Sequence, residues 1–122
     1  MTVQARDELP NEACGLLAGS GGMVVKHYPI RNADQSPVHY RMEPKEQLQA
    51  MIDIDDRGWE LAAIYHSHTH TRAYPSGTDI RLAAYPDTLY LILSLAGSEP
   101  DLRAFRIVDE KVTEVELQIE DD

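Results

Sequence analysis

The chain has 122 residues, of which 43% are hydrophobic and 26% charged. This composition predicts a single globular domain over residues 1–122, and no apolar run reaches the ~20 residues that cross a membrane. The 21 acidic and 11 basic residues give a net charge of −10, which argues against nucleic acid as a partner. A single cysteine, Cys14, excludes an internal disulfide, and without a secretory h-region at the N-terminus we expect a cytoplasmic protein.

Hydrophobic period and turn residues predict one helix and three strands in the first third of the chain. Pro10 stops the helix, and the glycines of GSGG turn the chain between the first two strands. The third strand is predicted from an alternating stretch, VHYRME. The predicted ranges are 2–8 for the helix and 12–19, 23–30 and 38–43 for the strands.

A second helix is predicted to begin at Pro44, because proline is favoured at the first position of a helix. Leu48, Met51, Ile52 and then Trp59 follow at helical spacing, and we expect this apolar stripe to pack in the core. The acidic run DIDD near the end of the helix and the acidic C-terminal tail are interpreted as solvated faces.

The second half of the chain is predicted to contain four strands and one more short helix. The helix covers 77–85 and ends near Pro86. The strands cover 60–68, 88–95, 102–109 and 111–119, and the last two form a hairpin. Strands dominate and helices are interspersed, which predicts the α+β class with a mixed sheet and helices packed on it.

Three of the five histidines, His66, His68 and His70, alternate within the stretch YHSHTHTRAYPSGTD. In an extended segment, side chains two apart project to one side, so His66 and His68 can direct both imidazoles at one point. Asp79, brought back by the loop to the start of the next helix, can supply a third ligand. Two nitrogens and one carboxylate oxygen leave a tetrahedral zinc one position for water, as in hydrolytic sites.

Each of these features also has a purely structural explanation. A lone His-x-His pair is usually a surface or hydrogen-bonded pair, and Ser76 with Asp79 fits a capping box. His70 could replace His68 as a ligand, but it is interpreted as a loop or substrate-contacting residue. Cys14 is interpreted as a small buried hydrophobe. A metal site is favoured because capping does not explain two histidines on one face at the other end of the same loop.

The spacing of these residues resembles a specific motif. His66-x-His68, seven residues, Ser76, two residues and Asp79 match H-x-H-x7-S-x2-D of the JAMM family of zinc-dependent isopeptidases, also called MPN+ or JAB. Glu12, ahead of the run GLLAG, stands where that family places a glutamate on an early strand. The resemblance extends from residue 9 to about 108. It implies a cytidine-deaminase-like JAB/MPN fold with a mixed central β-sheet flanked by helices.

The resemblance also implies a role for each residue. His66, His68 and Asp79 would bind Zn²⁺, and the metal would lower the pKa of a bound water to about 7. Glu12 would take a proton from that water and return it to the leaving amine. Ser76 would stabilise the tetrahedral oxyanion. The role of Glu12 comes from the resemblance alone, since a glutamate at the start of a strand is not otherwise a catalytic signal.

Bacterial members of the Mec type resemble this chain in further segments, namely HYRMEP, AYPS followed by TD, and RIVD. These members cleave small ubiquitin-like sulfur carriers from cysteine attached at the carrier's C-terminus. The resemblance therefore implies hydrolysis of the amide after a C-terminal Gly-Gly tail, with release of cysteine for cysteine biosynthesis. It implies neither nucleic acid nor a membrane as a partner.

Three other functions stay open. They are a broader deconjugase acting on lysine, a non-catalytic MPN interaction module, and a metal-binding or sensing protein. The sequence lacks long inserted loops, which favours a small or flexible substrate. It also departs from the family at its N-terminus, where about eight residues precede Pro10. The particular carrier, the physiological metal and the oligomeric state, a homodimer included, are not determined by the sequence.

Overall fold

The computed structural model describes residues 1–85 and 87–116, and these form three helices and six strands. In chain order they are α1 (Thr2–Asp7), β1 (Cys14–Ser20), β2 (Met23–Ile30), α2 (Pro44–Asp56), β3 (Glu60–His68), α3 (Gly77–Leu82), β4 (Leu89–Ser94), β5 (Asp101–Val108) and β6 (Lys111–Val115). The predicted ranges agree within two residues with three exceptions: α3 ends at Leu82 rather than at 85, the last strand ends at Val115 rather than at 119, and no strand forms over 38–43. Pro86 and residues 117–119 of the last predicted strand lie outside the described residues.

The six strands form one sheet in the order β2-β1-β3-β4-β5-β6. The β3–β4 pair is parallel and the other four pairs are antiparallel, so the predicted mixed sheet and α+β class are confirmed. Parallel strands cannot be joined by a tight turn. The chain therefore crosses from the end of β3 to the start of β4 through residues 69–88, and this crossover contains α3.

Helices cover the two faces of the sheet unequally. One face carries Leu16, Ile64 and Tyr90, which pack against Ala50 and Ile54 of α2. The opposite face carries smaller clusters, into which α1 packs from the N-terminus. Among the described helices, the longest has 13 residues, and none is long and apolar enough to cross a membrane.

Helix α2 begins at Pro44 as predicted, but it buries a different face from the predicted one. The Glu43 side chain caps it by accepting a hydrogen bond from the Glu46 amide at 2.8 Å. Met51 and Trp59 pack against the core as expected, whereas Leu48 and Ile52 are 60% and 50% exposed. The buried positions are Ala50 and Ile54. Leu48 and Ile52 each lie two residues from one of these, about 200° around the helix, so the prediction that they are core was wrong.

The segment predicted as a strand at 38–43 is an irregular loop, with one isolated bridge between Asn32 and Met42. The buried Asn32 side chain satisfies the backbone groups that a neighbouring strand would otherwise pair. Its amide nitrogen donates to the carbonyls of Glu12 and His39, each at 3.1 Å. Its oxygen accepts from the amides of Asp34 and Arg41, also at 3.1 Å. A single amide side chain therefore organises this loop and ties it to Glu12, two residues before β1.

A polar contact on the α1 side of the sheet joins three strands and a helix. The Tyr65 ring of β3 crosses over Gly15 of β1 and its hydroxyl meets Nε2 of His27 on β2. The same hydroxyl donates to the side-chain oxygen of Gln4 in α1. Because a tyrosine hydroxyl has one proton, it accepts from His27. The Gln4 amide completes the network by donating to the Cys14 carbonyl at 2.9 Å.

Candidate metal and catalytic site

Three of the residues predicted to bind a metal meet at the carboxyl end of β3. His66 and His68 lie on the same face of this strand, and Asp79 approaches from the first turn of α3. The Nε2 atoms of the two histidines are 3.0 Å apart. Each also lies 3.1 Å from Oδ2 of Asp79. The structure thus brings together the three side chains that the spacing singled out.

The donor set suits a metal ion in both chemistry and dimensions. Ligand atoms about 2.1 Å from a tetrahedral zinc are separated by roughly 3.4 Å, close to the separations seen among these three atoms. His68 donates from Nδ1 to the Arg72 carbonyl at 2.9 Å, which leaves the lone pair of Nε2 free for a metal. The Nδ1 of His66 is the buried side-chain nitrogen without a hydrogen-bond partner among the described residues.

The pKa values of these groups follow from burial and from their contacts with one another. Burial lowers the pKa of His66, and its hydrogen bond with Asp79 only partly opposes this. Burial also acts to lower the pKa of His68, but hydrogen bonds with Asp79 and the Arg72 carbonyl outweigh it, so the pKa is raised. Burial acts to raise the pKa of Asp79, yet its hydrogen bonds with both histidines hold that pKa well below its usual range. Asp79 is therefore a carboxylate, as a metal ligand must be.

Helix α3 holds Asp79 through the predicted capping box. The Ser76 hydroxyl accepts a hydrogen bond from the Asp79 amide at 3.1 Å, and the Ser76 amide donates to Oδ2 of Asp79 at 2.9 Å. Ser76 itself is exposed. Since its oxygen accepts the helix amide, its own proton stays available for donation to another group. The cap thus positions both the Asp79 carboxylate and the Ser76 hydroxyl oxygen.

Glu12 lies two residues before β1 and is 4% exposed. Its amide donates to the Ser36 carbonyl at 2.8 Å. The next residue, Ala13, makes two hydrogen bonds with Ser67 of β3. The Ala13 amide donates to the Ser67 hydroxyl at 2.8 Å, and the Ala13 carbonyl accepts from the Ser67 amide at 2.9 Å. Burial raises the pKa of Glu12 to about 7, with the charge of His68 opposing this rise and that of Asp79 adding to it. Glu12 is thus a buried carboxyl group, electrostatically coupled to two of the three converging side chains, His68 and Asp79.

The three converging side chains of His66, His68 and Asp79 are called the metal set below. Two other residues singled out by the sequence lie outside it. His70 is exposed in the loop after β3 and is not among the converging donors. Cys14 is buried in the core, and its pKa is raised to about 12 by burial and by nearby acidic groups. A thiol with so high a pKa is inert, which agrees with the interpretation of Cys14 as a small hydrophobe.

Sequence reasoning missed three residues that support the site. Asn32 and Ser67 hold the peptide group that follows Glu12, since Asn32 donates to the Glu12 carbonyl and Ser67 accepts from the Ala13 amide. Tyr90 accepts hydrogen bonds from the amides of Ala84 and Tyr85, at 3.0 and 3.1 Å, and so anchors the chain after α3. Asn32 and Ser67 act on Glu12 and Ala13, which are distant in sequence. No local pattern marks the contact of Tyr90 with amides five and six residues earlier. The Asn-x-Asp pattern at 32–34 is the only local hint, since asparagine often bonds to the amide two residues on.

Fold and site together define a JAB/MPN domain, a mixed sheet with a His-His-Asp set at the end of a central strand. The family described as prokaryotic homologs of the JAB domain matches residues 1–108, and the chain belongs to this family.

The chain is 43% identical over 122 residues to the CysO-cysteine peptidase of Mycobacterium tuberculosis, covering 98% of this chain and 84% of that protein. It is 32% identical over 110 residues to the desampylase of Pyrococcus furiosus, covering 89% of this chain and 76% of that protein. A Desulfitobacterium hafniense protein with a known solution structure is 44% identical and has a TM-score of 0.87, covering 98% of this chain and 86% of that one.

Proposed function

We propose that this protein is a zinc-dependent peptidase that hydrolyses the amide after the C-terminal glycine of a small ubiquitin-like sulfur carrier and releases cysteine. The observation that carries the proposal is the convergence of His66, His68 and Asp79 beside the buried carboxyl group of Glu12. The similarity to a protein named CysO-cysteine peptidase supports the choice of substrate. A cytoplasmic location agrees with the lone, buried cysteine.

The metal-binding role falls to Nε2 of both histidines and Oδ2 of Asp79. Zinc suits two imidazoles and one carboxylate, and once bound it supplies a water of lowered pKa and a positive charge that polarises the substrate carbonyl. The donors come from two elements, since β3 carries His66 and His68 and the cap of α3 positions Asp79.

Glu12 is proposed as the general base and then the general acid. Its pKa of about 7 is near the value at which a carboxyl group can both accept and return a proton at neutral pH. It takes one proton from the attacking water, whose oxygen forms a bond to the carbonyl carbon. The amide C–N bond then breaks, and the same proton passes to the nitrogen of the leaving amine. The second proton of the water leaves the new carboxylic acid, so the products are the carrier carboxylate and free cysteine with a protonated amine.

Ser76 is proposed to stabilise the oxyanion that develops on the carbonyl oxygen. Its hydroxyl oxygen is occupied by the Asp79 amide, so its proton can be donated toward the substrate without loss of the cap. A donor held in advance by the protein is more effective than water, which must reorient during the reaction.

A second candidate is a broader deconjugase that releases a ubiquitin-like protein from lysine. The similarity to a protein named desampylase favours it. The two candidates share the metal set, Glu12 and Ser76, and they differ only in the amine that leaves.

Intact-mass measurements on two substrates test the proposal. The protein is incubated with a carrier-cysteine adduct and with a ubiquitin-like protein joined to lysine, each with and without chelator. We expect cleavage of the adduct, its loss with chelator and its recovery on adding zinc. Glu12→Gln should retain zinc while turnover falls about 10²- to 10⁴-fold. Cleavage of the lysine isopeptide alone would favour the second candidate, and full activity of Glu12→Gln would overturn the assigned base.

A further inference from the structure

A cavity of about 150 Å³ lies directly beside the metal set. His66 and Asp79 form part of its wall, whereas Glu12, His68 and Ser76 do not. The rest of the wall is largely apolar or aromatic and includes Tyr40, Leu82, Ala83, Tyr90, Ile92 and Ile107, with His39 and Thr78 as its polar members. The cavity therefore adjoins the reacting centre without containing the proposed acid-base and oxyanion groups.

The walls of this cavity are held in place from both sides. The Tyr40 ring stacks on the His66 ring, with centroids 4.5 Å apart and planes inclined by 24°. On the other side, the Tyr90 hydroxyl binds the two amides that follow Ala83 and so fixes the end of α3. Leu82 is 70% exposed although it lines the cavity, so one wall offers an apolar side chain that a bound group could cover.

We infer that this cavity is the subsite for the side chain of the residue released by hydrolysis, and that it favours thiol and small apolar side chains over charged ones. The inference rests on the proposed function and adds a specificity determinant to it. The last residue of the carrier is glycine in that proposal and has no side chain to place there. The residue released by hydrolysis lies on the other side of the scissile amide. Its side chain therefore begins next to the metal set, where the cavity lies.

The size and charge of the cavity support this choice of occupant. An apolar cavity of ~150 Å³ can hold a molecule the size of benzene, which is enough for a cysteine, methionine or leucine side chain. An acidic side chain would have to leave water for this largely apolar site, which is costly for a charged group. Burial raises the pKa of Tyr40, so its phenol stays neutral. A lysine side chain would have to leave water for a largely apolar site, which is costly for a charged group.

The first experiment varies the substrate and leaves the protein unchanged. Carrier adducts ending in glycine, cysteine, leucine, aspartate or lysine are compared by kcat/KM. We expect cysteine and leucine adducts to be cleaved on the order of 10-fold better than the glycine adduct, because burying their side chains adds apolar contact. Aspartate and lysine adducts should be cleaved no better than glycine. Equal cleavage of all five would overturn the subsite while leaving the peptidase standing, and cleavage of none would overturn both.

The second experiment fills the cavity. In Ala83→Phe the ratio of kcat/KM for the cysteine adduct to that for the glycine adduct should fall about 10-fold, toward one, with zinc content unchanged. Leu82→Ala removes an apolar side chain from the cavity wall at an exposed position, and it should lower the same ratio. This second variant tests the inference even if Ala83→Phe does not fold. Ala96→Phe, at an exposed alanine outside the cavity, is the matched control and should leave the ratio unaltered. An undiminished ratio in both Ala83→Phe and Leu82→Ala, or an equal loss on both adducts with zinc retained, would contradict the inference.

Discussion

At the scale of single residues, the two histidines of the metal set are held by different forces. His68 is oriented by a hydrogen bond from Nδ1 to the Arg72 carbonyl. His66 lacks such a partner among the described residues, and its ring is oriented by stacking on Tyr40 instead. Packing can therefore replace the hydrogen-bonded support that metal-binding histidines usually have.

The metal set predicts a sharp contrast among neighbouring residues. Purified protein should carry close to one zinc per chain, and His66→Ala, His68→Ala or Asp79→Ala should each lose most of it. His70→Ala is the matched control, because His70 lies in the same stretch but points to solvent rather than to the donor set. Metal analysis decides the matter. Loss of zinc in His70→Ala together with retention in His68→Ala would show that the wrong pair was chosen.

Ser76 has two separable roles, and one substitution distinguishes them. Loss of the cap in Ser76→Ala should lower the free energy of unfolding by about 1 kcal/mol. If the hydroxyl also donates to the oxyanion, kcat should fall on the order of 10²- to 10³-fold. Urea denaturation and steady-state kinetics measure the two effects, with Ser98→Ala as an exposed control. A stability loss with unchanged kcat would restrict Ser76 to capping.

At the scale of elements, the pairing of β1 with β3 places Glu12 opposite the metal set. Gly15 permits this pairing because the Tyr65 ring occupies the space where a side chain would stand. A Cβ at Gly15 would overlap the Tyr65 side chain and the Tyr28 carbonyl. Because Gly15 has no side chain, the Tyr65 ring can lie against β1 while β1 and β3 stay paired.

Gly15→Ala should therefore destabilise the protein, by about 1–3 kcal/mol, as overpacking typically does. Urea denaturation checks this value. Gly97→Ala is the control, because a Cβ there meets nothing closer than 3.8 Å. A stable Gly15→Ala protein with intact zinc would mean that the Tyr65 ring can move aside at little cost.

Elements with a strong local period were predictable, and those held by distant side chains were not. The apolar run of β4 and the alternating β5 were found within two residues, because their patterns come from the sheet they build. The stretch at 38–43 has a similar alternation but forms only an isolated bridge, and two of its backbone groups, the His39 carbonyl and the Arg41 amide, bond to the Asn32 side chain. Period alone cannot distinguish a strand from a loop that a buried amide side chain supports.

The same limit applies to the site. The three donors were predictable because strand geometry and a capping box fix them from local sequence alone. Glu12 required the family resemblance, because its position depends on β1 pairing with β3, far away in sequence. The cavity could not be predicted, since its walls come from the loop before α2, from α3 and from two later strands.

At the scale of the whole molecule, a polar network ties the N-terminal helix to the centre of the sheet. Gln4, Tyr65 and His27 link α1 to β3 and β2. Burial lowers the pKa of His27, and the positive charge of the N-terminus adds to this effect. The folded protein therefore binds a proton at this histidine less readily than the unfolded chain does.

This network predicts how stability depends on pH. In the unfolded chain His27 titrates near its ordinary pKa of about 6.5, so as pH falls through that value the unfolded state takes up the proton first. The contribution of His27 to stability is present above this pH and lost below it. His27→Gln keeps a donor for Tyr65 without the titration, so its melting temperature should fall less than that of the native protein between pH 7.5 and pH 5. His70→Gln, at an exposed histidine, is the control, and identical slopes for the native protein and His27→Gln would contradict the prediction.

The two elements that hold the metal set differ in how firmly they are attached. Strand β3 is paired on both sides, whereas α3 has six residues and none of them is buried. A shared ion would therefore act as a cross-link that closes the chain between His68 and Asp79 and removes conformational entropy from it. Chelation should accelerate hydrogen exchange at the amides of α3 well before those of β3. Equal acceleration in both elements would mean that the ion supports the sheet as much as the helix.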